Sequence, residues 1–80
     1  MRLDKYLKVS RLIKRRTVAN EACENGKISL NGRVAKPAAD VKEGDIIELT
    51  LGKKILKVKV VKVAEHVAKS DVVDMYEVIG

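Results

Sequence analysis

The stretch TVANEACENGKISLNGRV, residues 17–34, decides the fold, because the spacing of its apolar residues changes at Gly26. Before Gly26 the apolar residues recur with helical spacing, which predicts a helix with Thr17 as its N-cap that runs to about residue 25. Glycine is typical of the position that follows a helix. Beyond it apolar and polar residues alternate up to Asn31-Gly32, the sequence most typical of a two-residue hairpin turn. The stretch therefore predicts a helix followed by a β-hairpin.

This predicted helix is amphipathic. Its inner face consists of Val18, Ala19, Ala22 and Cys23, and its outer face of Asn20, Glu21 and Glu24. We expect Cys23 to behave as a small buried apolar side chain.

An earlier helix is predicted from Arg2 to about Ser10. On a helical wheel its apolar arc consists of Leu3, Tyr6, Leu7 and Ser10. Lys5 and Lys8 point away from this arc, and Asp4 is placed to pair with Lys8 at i,i+4 spacing. A basic connection, residues 11–16, joins the two helices.

Short strands are predicted after the hairpin, over residues 46–51, 55–63 and 75–79. The alternation slips near Val60-Val61, which predicts a bulge. The lysines of this half are expected to protect an exposed sheet edge. Two helices followed by antiparallel strands predict an α+β fold, with two short N-terminal helices packed on a small, mainly antiparallel sheet. No linker interrupts the chain, so we expect residues 1–80 to form a single domain.

Composition excludes several classes of protein. The chain has 80 residues, and no apolar run approaches the ~20 residues of a membrane span. No continuous apolar core follows the basic start, which excludes a signal peptide. The single cysteine excludes an internal disulfide and favours a reducing cytoplasm. One cysteine and one histidine, His66, make no metal-ligand set. No nucleophile–base pair or phosphate-binding glycine loop is present, so we expect neither enzymatic activity nor a cofactor.

Positive charge is concentrated at the start of the chain. Residues 1–16 contain seven cations and one acid, and the formal net charge of the whole chain is +6. Because like charges repel at close spacing, this concentration indicates that a polyanion binds there.

Three polyanions are candidates. An acidic membrane surface requires more bulky apolar residues than this helix can spare from its core. Duplex DNA would have to be bound by the second helix of a helix-turn-helix arrangement. The outer face of this helix carries Glu21 and Glu24, and an acidic face fits poorly against phosphates. RNA fits best, and the scarcity of aromatic residues favours recognition of folded RNA by shape and phosphate contact. A duplex-DNA or nucleoid-associated protein stays the second hypothesis, and an accessory subunit that binds protein through its sheet stays the third.

The sequence also resembles a known family, the RNA-binding domain named after small-subunit ribosomal protein S4. The resemblance runs over residues 2–49 and rests on an ordered set of motifs: RLDKYL at 2–7, RTVA at 16–19, GKISLNG at 26–32, Val41 and Gly44-Asp45. The chain departs from the family where many members carry a serine before the motif arginine, since this position is Arg15. The chain resembles one branch of the family in carrying Lys36-Pro37 and in lacking an attached catalytic domain. This branch comprises the fifteen-kilodalton heat-shock protein and ribosome-associated quality-control protein P. The short C-terminus resembles the quality-control side.

The resemblance implies the fold of the alpha-L RNA-binding motif with a C-terminal strand extension over residues 50–80. It also implies a function. Members of the branch bind the free large ribosomal subunit that carries a stalled peptidyl-tRNA, contact both rRNA and tRNA, and in the quality-control branch assist a partner factor that adds alanine tails. A heat-shock-type recycling factor of the same family is the alternative. We expect a monomer that is confined to the cytoplasm.

The expected RNA-binding residues are basic. Arginine grips phosphate in a bidentate manner, so Arg2, Arg11, Arg15 and Arg16 rank first, with Arg16 at the centre because it lies at the N-terminal end of the second helix. The remaining candidates are Lys5, Lys8 and Lys14 in the same region, and Lys27, Arg33 and Lys36 around the hairpin and the following loop.

Overall fold

The computed structural model describes residues 1–80, and its helices come first. They are α1 (Leu3–Val9) and α2 (Arg16–Glu24). The strands are β1 (Ile28–Leu30), β2 (Arg33–Val34), β3 (Ile46–Leu51), β4 (Lys54–Val60) and β5 (Tyr76–Val78), with a 3₁₀ helix at Lys69–Asp74 before the last strand. All neighbouring strands pair antiparallel in one sheet of order β2-β1-β3-β4-β5. The predicted α+β fold, with two helices packed on an antiparallel sheet, is confirmed.

The junction between α2 and the sheet forms as the sequence indicates. Gly26 has a φ of +72°, a conformation that glycine adopts without a steric penalty. Its N–H donates to the carbonyl of Cys23, and the N–H of Lys27 donates to the carbonyl of Ala22, which are the two hydrogen bonds of a Schellman motif. This motif ends the helix and directs the chain into β1.

The other end of α2 differs from the prediction, because Thr17 is not its N-cap. The helix begins at Arg16, the N-cap position is Arg15, and no side chain caps it. The prediction of which α2 residues face the core is also partly wrong. Val18 was expected inside but is 46% exposed, and Asn20 was expected outside but is half-buried against α1. Both errors have one cause. The buried face of α2 is centred on Ala19 and Cys23, so the Asn20 side of the helix faces the start of α1 and the Val18 side faces solvent.

The hairpin between β1 and β2 turns at Asn31 and Gly32, whose φ values of +52° and +84° are those of the predicted two-residue turn. Asn31 also connects the turn to β3. Its side-chain oxygen accepts from the N–H of Ile46 at 2.9 Å, and its amide nitrogen donates to Asp45 at 3.1 Å. The turn therefore fixes the register of β1 against β3 as well as against β2.

The core lies between the helices and one face of the sheet. It contains 14 buried apolar residues, among them Leu3, Tyr6 and Leu7 from the predicted arc of α1. The hydroxyl of Tyr6 donates to the carbonyl of Met75 at 2.7 Å, so the end of the chain is attached to α1. Cys23 is buried as predicted, and burial followed by the nearby charges of Asp4 and Glu24 raises its pKa to about 11.

The second half of the sheet corrects one expectation about the lysines. β4 lies between β3 and β5, and the last residues of the chain pair with residues 57–60 of β4, so Lys57 and Lys59 do not protect an edge. Lys57 instead lies across from Glu48, with Nζ 3.4 Å from Oε1. β4 ends at Val60, where the N–H groups of Val61 and Lys62 both donate to one carbonyl, a two-to-one arrangement typical of a bulge. The 3₁₀ helix was not predicted.

Candidate nucleic-acid interface

A buried carboxylate organises the start of both helices. Asp4 lies on α1 with its side chain 3% exposed, and its two oxygens accept from Nε and Nη2 of Arg2 at 3.1 and 3.2 Å. Nη2 of Arg16 on α2 lies 3.6 Å from the same carboxylate, and the amide of Asn20 lies 3.4 Å from it. We call Arg2, Asp4, Arg16 and Asn20 the Asp4 cluster.

The contacts of the Asp4 cluster determine its charge state. Burial alone raises the pKa of Asp4, but the hydrogen bonds from Arg2 and Asn20, the charge of Arg16 and the backbone N–H of Lys5 together hold this pKa below its ordinary value. Asp4 is therefore ionised at neutral pH. The predicted pairing of Asp4 with Lys8 is wrong, because the carboxylate faces α2 whereas Lys8 points to solvent.

The loop over residues 35–41 holds the start of α1 in place. No side chain caps this helix. Instead, the N–H of Leu3 donates to the carbonyl of Ala39 at 2.8 Å, and the N–H of Asp4 donates to the carbonyl of Pro37 at 3.1 Å. Because loop carbonyls satisfy the free N–H groups of the first turn, Arg2 is fixed at the entry to the helix.

Arg15 and Arg16 occupy the N-terminal end of α2, but they differ in their partners. Arg15 is exposed and forms no ion pair. The Arg16 side chain is 48% exposed and shares its charge with Asp4. An open cavity of about 400 Å³ lies beside it, lined by Asp4, Arg16, Thr17, Asn20 and Glu21. Arg2 and Arg16 therefore present oriented guanidinium groups, and Arg15 presents a free one.

A second concave region lies at the other end of α1. This basic groove, with a volume of about 620 Å³, is lined by Lys8, Val9, Arg11, Lys14, Glu65, His66, Val67 and Lys69. The structure thus brings together three of the predicted RNA-binding residues, Lys8, Arg11 and Lys14. Arg11 has a φ of +62°, so the chain turns sharply between the helix and the basic connection.

Lys5 lies between the two regions and is already engaged. Its ammonium group pairs with Glu65 of the segment that follows β4. This pair lowers the pKa of Glu65, through the hydrogen bond from Lys5 first and through its charge second. Because the pair is largely exposed to solvent, it is worth little in stability.

The other predicted residues are more scattered. Lys27, Arg33 and Lys36 are all exposed, and none of them lines the basic groove or the cavity beside Arg16. Lys36 precedes Pro37, whose carbonyl accepts from α1, so it lies nearest to the Asp4 cluster. Lys27 immediately precedes β1, and Arg33 is the first residue of β2.

Sequence reasoning missed Asn20, His66 and Lys69, as well as the true role of Asp4. A signal existed for Asp4, because on a helical wheel it lies about 60° from Leu7, at the border of the buried arc. No signal existed for His66 and Lys69, since only the path of the chain beyond β4 brings them beside α1.

Residues 1–47 match the family model of the S4 domain. This range contains α1, the basic connection, α2, the β1–β2 hairpin and the first residues of β3. The chain belongs to the S4-domain family. The resemblance drawn from residues 2–49 is confirmed.

Relatives extend the similarity to the whole chain. The "RQC P-site tRNA stabilizing factor" of Streptococcus pneumoniae is 52% identical over 80 residues, which cover 100% of this chain and 91% of that protein. The protein of the same name from Halalkalibacterium halodurans is 54% identical over 78 residues, 98% of this chain and 89% of its own length. These names support the quality-control side of the branch.

A solved structure shows the same fold. The trimeric structure of heat shock protein 15 from Vibrio cholerae has a TM-score of 0.91 at 30% identity, covering 99% of this chain and 81% of that one. The fold is thus shared across both sides of the branch. None of the helices of this protein has the length and apolar composition that a membrane span requires.

Proposed function

We propose that this protein is a ribosome-associated RNA-binding protein that stabilises a peptidyl-tRNA on the large ribosomal subunit after translation has stalled. In this proposal it contacts both rRNA and tRNA and supports alanine tailing of the stalled chain by a separate factor. It acts as a cytoplasmic monomer, through binding alone and without a cofactor, and residues 1–80 form its single RNA-binding domain. The names of the full-length relatives support the tRNA part of the proposal.

The observation that carries the proposal is the arrangement of cations along α1 and the start of α2. Arg2 and Arg16 are oriented by one buried carboxylate, while Lys8, Arg11, Lys14 and Arg15 have no acidic partner. Oriented guanidinium groups suit phosphate oxygens, and a cluster of unpaired cations suits a polyanion. The remaining proposed contacts are Lys5, Lys27, Arg33 and Lys36.

Duplex DNA is the weaker candidate because of the surface of α2. Glu21 and Glu24 are exposed on this helix, where a helix-turn-helix protein would present its reading face. A competition titration separates the two ligands: we expect rRNA to displace the labelled protein from duplex DNA, and a preference for duplex DNA would reverse this order.

The heat-shock-type recycling function is favoured by one observation, the shared fold with heat shock protein 15. Sedimentation of the tagged protein through a sucrose gradient, with the bound tRNA and proteins identified, distinguishes the two functions. We expect the protein on large subunits together with peptidyl-tRNA and a tailing factor. Recovery on large subunits without a tailing factor would favour recycling.

Substitution of the two arginines tests the RNA contact directly. Arg15→Ala together with Arg16→Ala removes one free and one oriented guanidinium group without changing the core. If about six phosphates are contacted, the logarithm of the affinity for large subunits falls against the logarithm of salt with a slope of about −4 to −5, and each lost contact lowers that slope by about 0.7–0.9. Unchanged binding by the double variant would show that this assignment is wrong.

A further inference from the structure

The segment after β4 adds a second wall to the basic surface. The chain leaves the sheet at Val60, passes beside the end of α1, and returns through the 3₁₀ helix to β5. As a result Lys8, Arg11 and Lys14 do not lie on an open face. Together with His66 and Lys69 from the segment they line the basic groove, which has a wall on each side.

The electrostatics of the basic groove call for a bound anion. Its lining includes the cations Lys8, Arg11, Lys14 and Lys69, and none of them forms an ion pair within the chain. The single acid that lines it, Glu65, is occupied by Lys5. Cations held together without counter-charges repel one another, which raises the free energy of the folded chain. A polyanion that neutralises them removes this repulsion.

The backbone conformation of Arg11 also supports an anion site in the basic groove. Its φ of +62° lies in the left-handed region, where glycine and asparagine are favoured and a long side chain is uncommon. The side chain makes no hydrogen bond or ion pair that would explain an arginine on structural grounds. The guanidinium of Arg11, which lines the groove without a partner, is therefore available to a ligand that carries negative charge.

We infer that the basic groove is a second RNA site, in which a stretch of phosphodiester backbone is held between α1 on one side and His66 and Lys69 on the other. The inference rests on the proposed function, since it assigns a further contact with the same RNA. It assigns a role in binding to residues that lie outside the part of the chain matched by the S4 family model. A flat basic surface contacts a strand from one side only, whereas a groove with polar groups on both walls also restricts the direction in which the strand runs.

Lys69→Gln tests the inference, because Lys69 is exposed and its loss leaves the core unchanged. Binding is measured against purified large ribosomal subunits and against protein-free rRNA over a range of salt concentrations. Loss of one phosphate contact weakens binding about four- to sixfold at 0.15 M salt and lowers the salt slope by about 0.7–0.9. We expect this result on both ligands, and rescue by Lys69→Arg. The matched control is Lys53→Gln, which removes an equal charge from the exposed β3–β4 turn and leaves binding within about twofold.

Three outcomes would overturn the inference. Equal losses for Lys69→Gln and Lys53→Gln would show an effect of net charge alone. A loss on large subunits without a loss on protein-free rRNA would show that the groove binds a ribosomal protein. If the affinity of Lys69→Gln is unchanged while the Arg15 and Arg16 double variant is impaired, the groove is not an RNA site but the proposed function stands. If neither variant is impaired, the proposed function itself fails.

Discussion

The carboxylate of Asp4 lies between two arginines, so neutralising it changes RNA binding in two opposite ways. Asp4→Asn keeps the shape of the side chain and one oxygen for the backbone N–H of Lys5. It removes the charge that holds the fork of Arg2 at 3.1 and 3.2 Å and the guanidinium of Arg16 at 3.6 Å. Charge counting predicts tighter binding to RNA because the net charge rises, whereas loss of positioning predicts weaker binding.

The two effects have different magnitudes. A phosphate on the far side of either guanidinium lies about 7 Å from the carboxylate, where two unit charges in water interact by about 0.6 kcal/mol. The substitution removes this repulsion at each of the two arginines, about 1.2 kcal/mol in all, and screening over a Debye length of about 8 Å at 0.15 M salt reduces the sum to about 0.5 kcal/mol. Ordering a long side chain on binding costs about 0.5–1.5 kcal/mol, so two released arginines cost about 1–3 kcal/mol. The net loss is about 0.5–2.5 kcal/mol, equivalent to binding that is about 2- to 70-fold weaker.

The assay is a titration of large ribosomal subunits with labelled protein at 0.15 M salt, accompanied by thermal unfolding to show that the variant is folded. The control is Glu24→Gln, which raises the net charge by the same amount on an exposed part of α2 that contacts neither arginine. We expect Glu24→Gln to bind as tightly as the original chain or slightly more tightly. If Asp4→Asn also binds more tightly while folded, the carboxylate does not position the arginines and the reasoning is refuted.

Three further predictions concern stability and reactivity. Tyr6→Phe removes the hydrogen bond to the Met75 carbonyl, which retains two backbone donors, so we expect a loss of only about 0.5–1.5 kcal/mol in urea unfolding; a loss above 3 kcal/mol would contradict this account. Asn31→Ala removes the oxygen that accepts from the N–H of Ile46, the amide that donates to Asp45, and a side chain suited to positive φ. We expect about 1–3 kcal/mol of destabilisation, and a loss below 0.5 kcal/mol would be the contrary result. Cys23, whose pKa is raised to about 11, is expected to resist iodoacetamide at pH 8 until urea unfolds the protein, as mass spectrometry would show; rapid labelling of the folded chain would be inconsistent with its burial.

Much of the fold follows from local sequence signals. Gly26 and the Asn31-Gly32 pair require positive φ, so they mark the end of a helix and a hairpin turn before any tertiary contact is known. The start of α2 carries a weaker signal. Thr17 is a good N-cap residue, yet the basic connection is short and places Arg15 at that position, so tertiary packing overrides the preference for a capping side chain.

The position of β4 shows a second limit of sequence reasoning. Lysines on a strand fit either an exposed edge or cross-strand pairing with acids, and the residues of the strand alone do not distinguish the two. The answer depends on β5, because this short strand pairs with β4 and makes it internal. The three residues of β5 thus determine whether the strand about twenty positions earlier, β4, lies at an edge of the sheet.

The candidate site was predictable in its charge but not in its geometry. Counting charges locates the cations in residues 1–16. It does not show that Asp4 orients Arg2 and Arg16, that Glu65 occupies Lys5, or that the segment after β4 forms the wall of a groove. These are contacts between residues up to 60 positions apart in the sequence.

The bond between Tyr6 and Met75 joins positions 69 residues apart, and both side chains are fully buried. During synthesis the chain emerges with its N-terminus first, so α1 and α2 leave the exit tunnel well before the strands that cover their apolar faces. The core is incomplete until Met75 has emerged, and contacts of such long sequence separation form late and slowly. The protein therefore reaches its native state only after Met75 has left the exit tunnel, and its helices are open to chaperones until that moment.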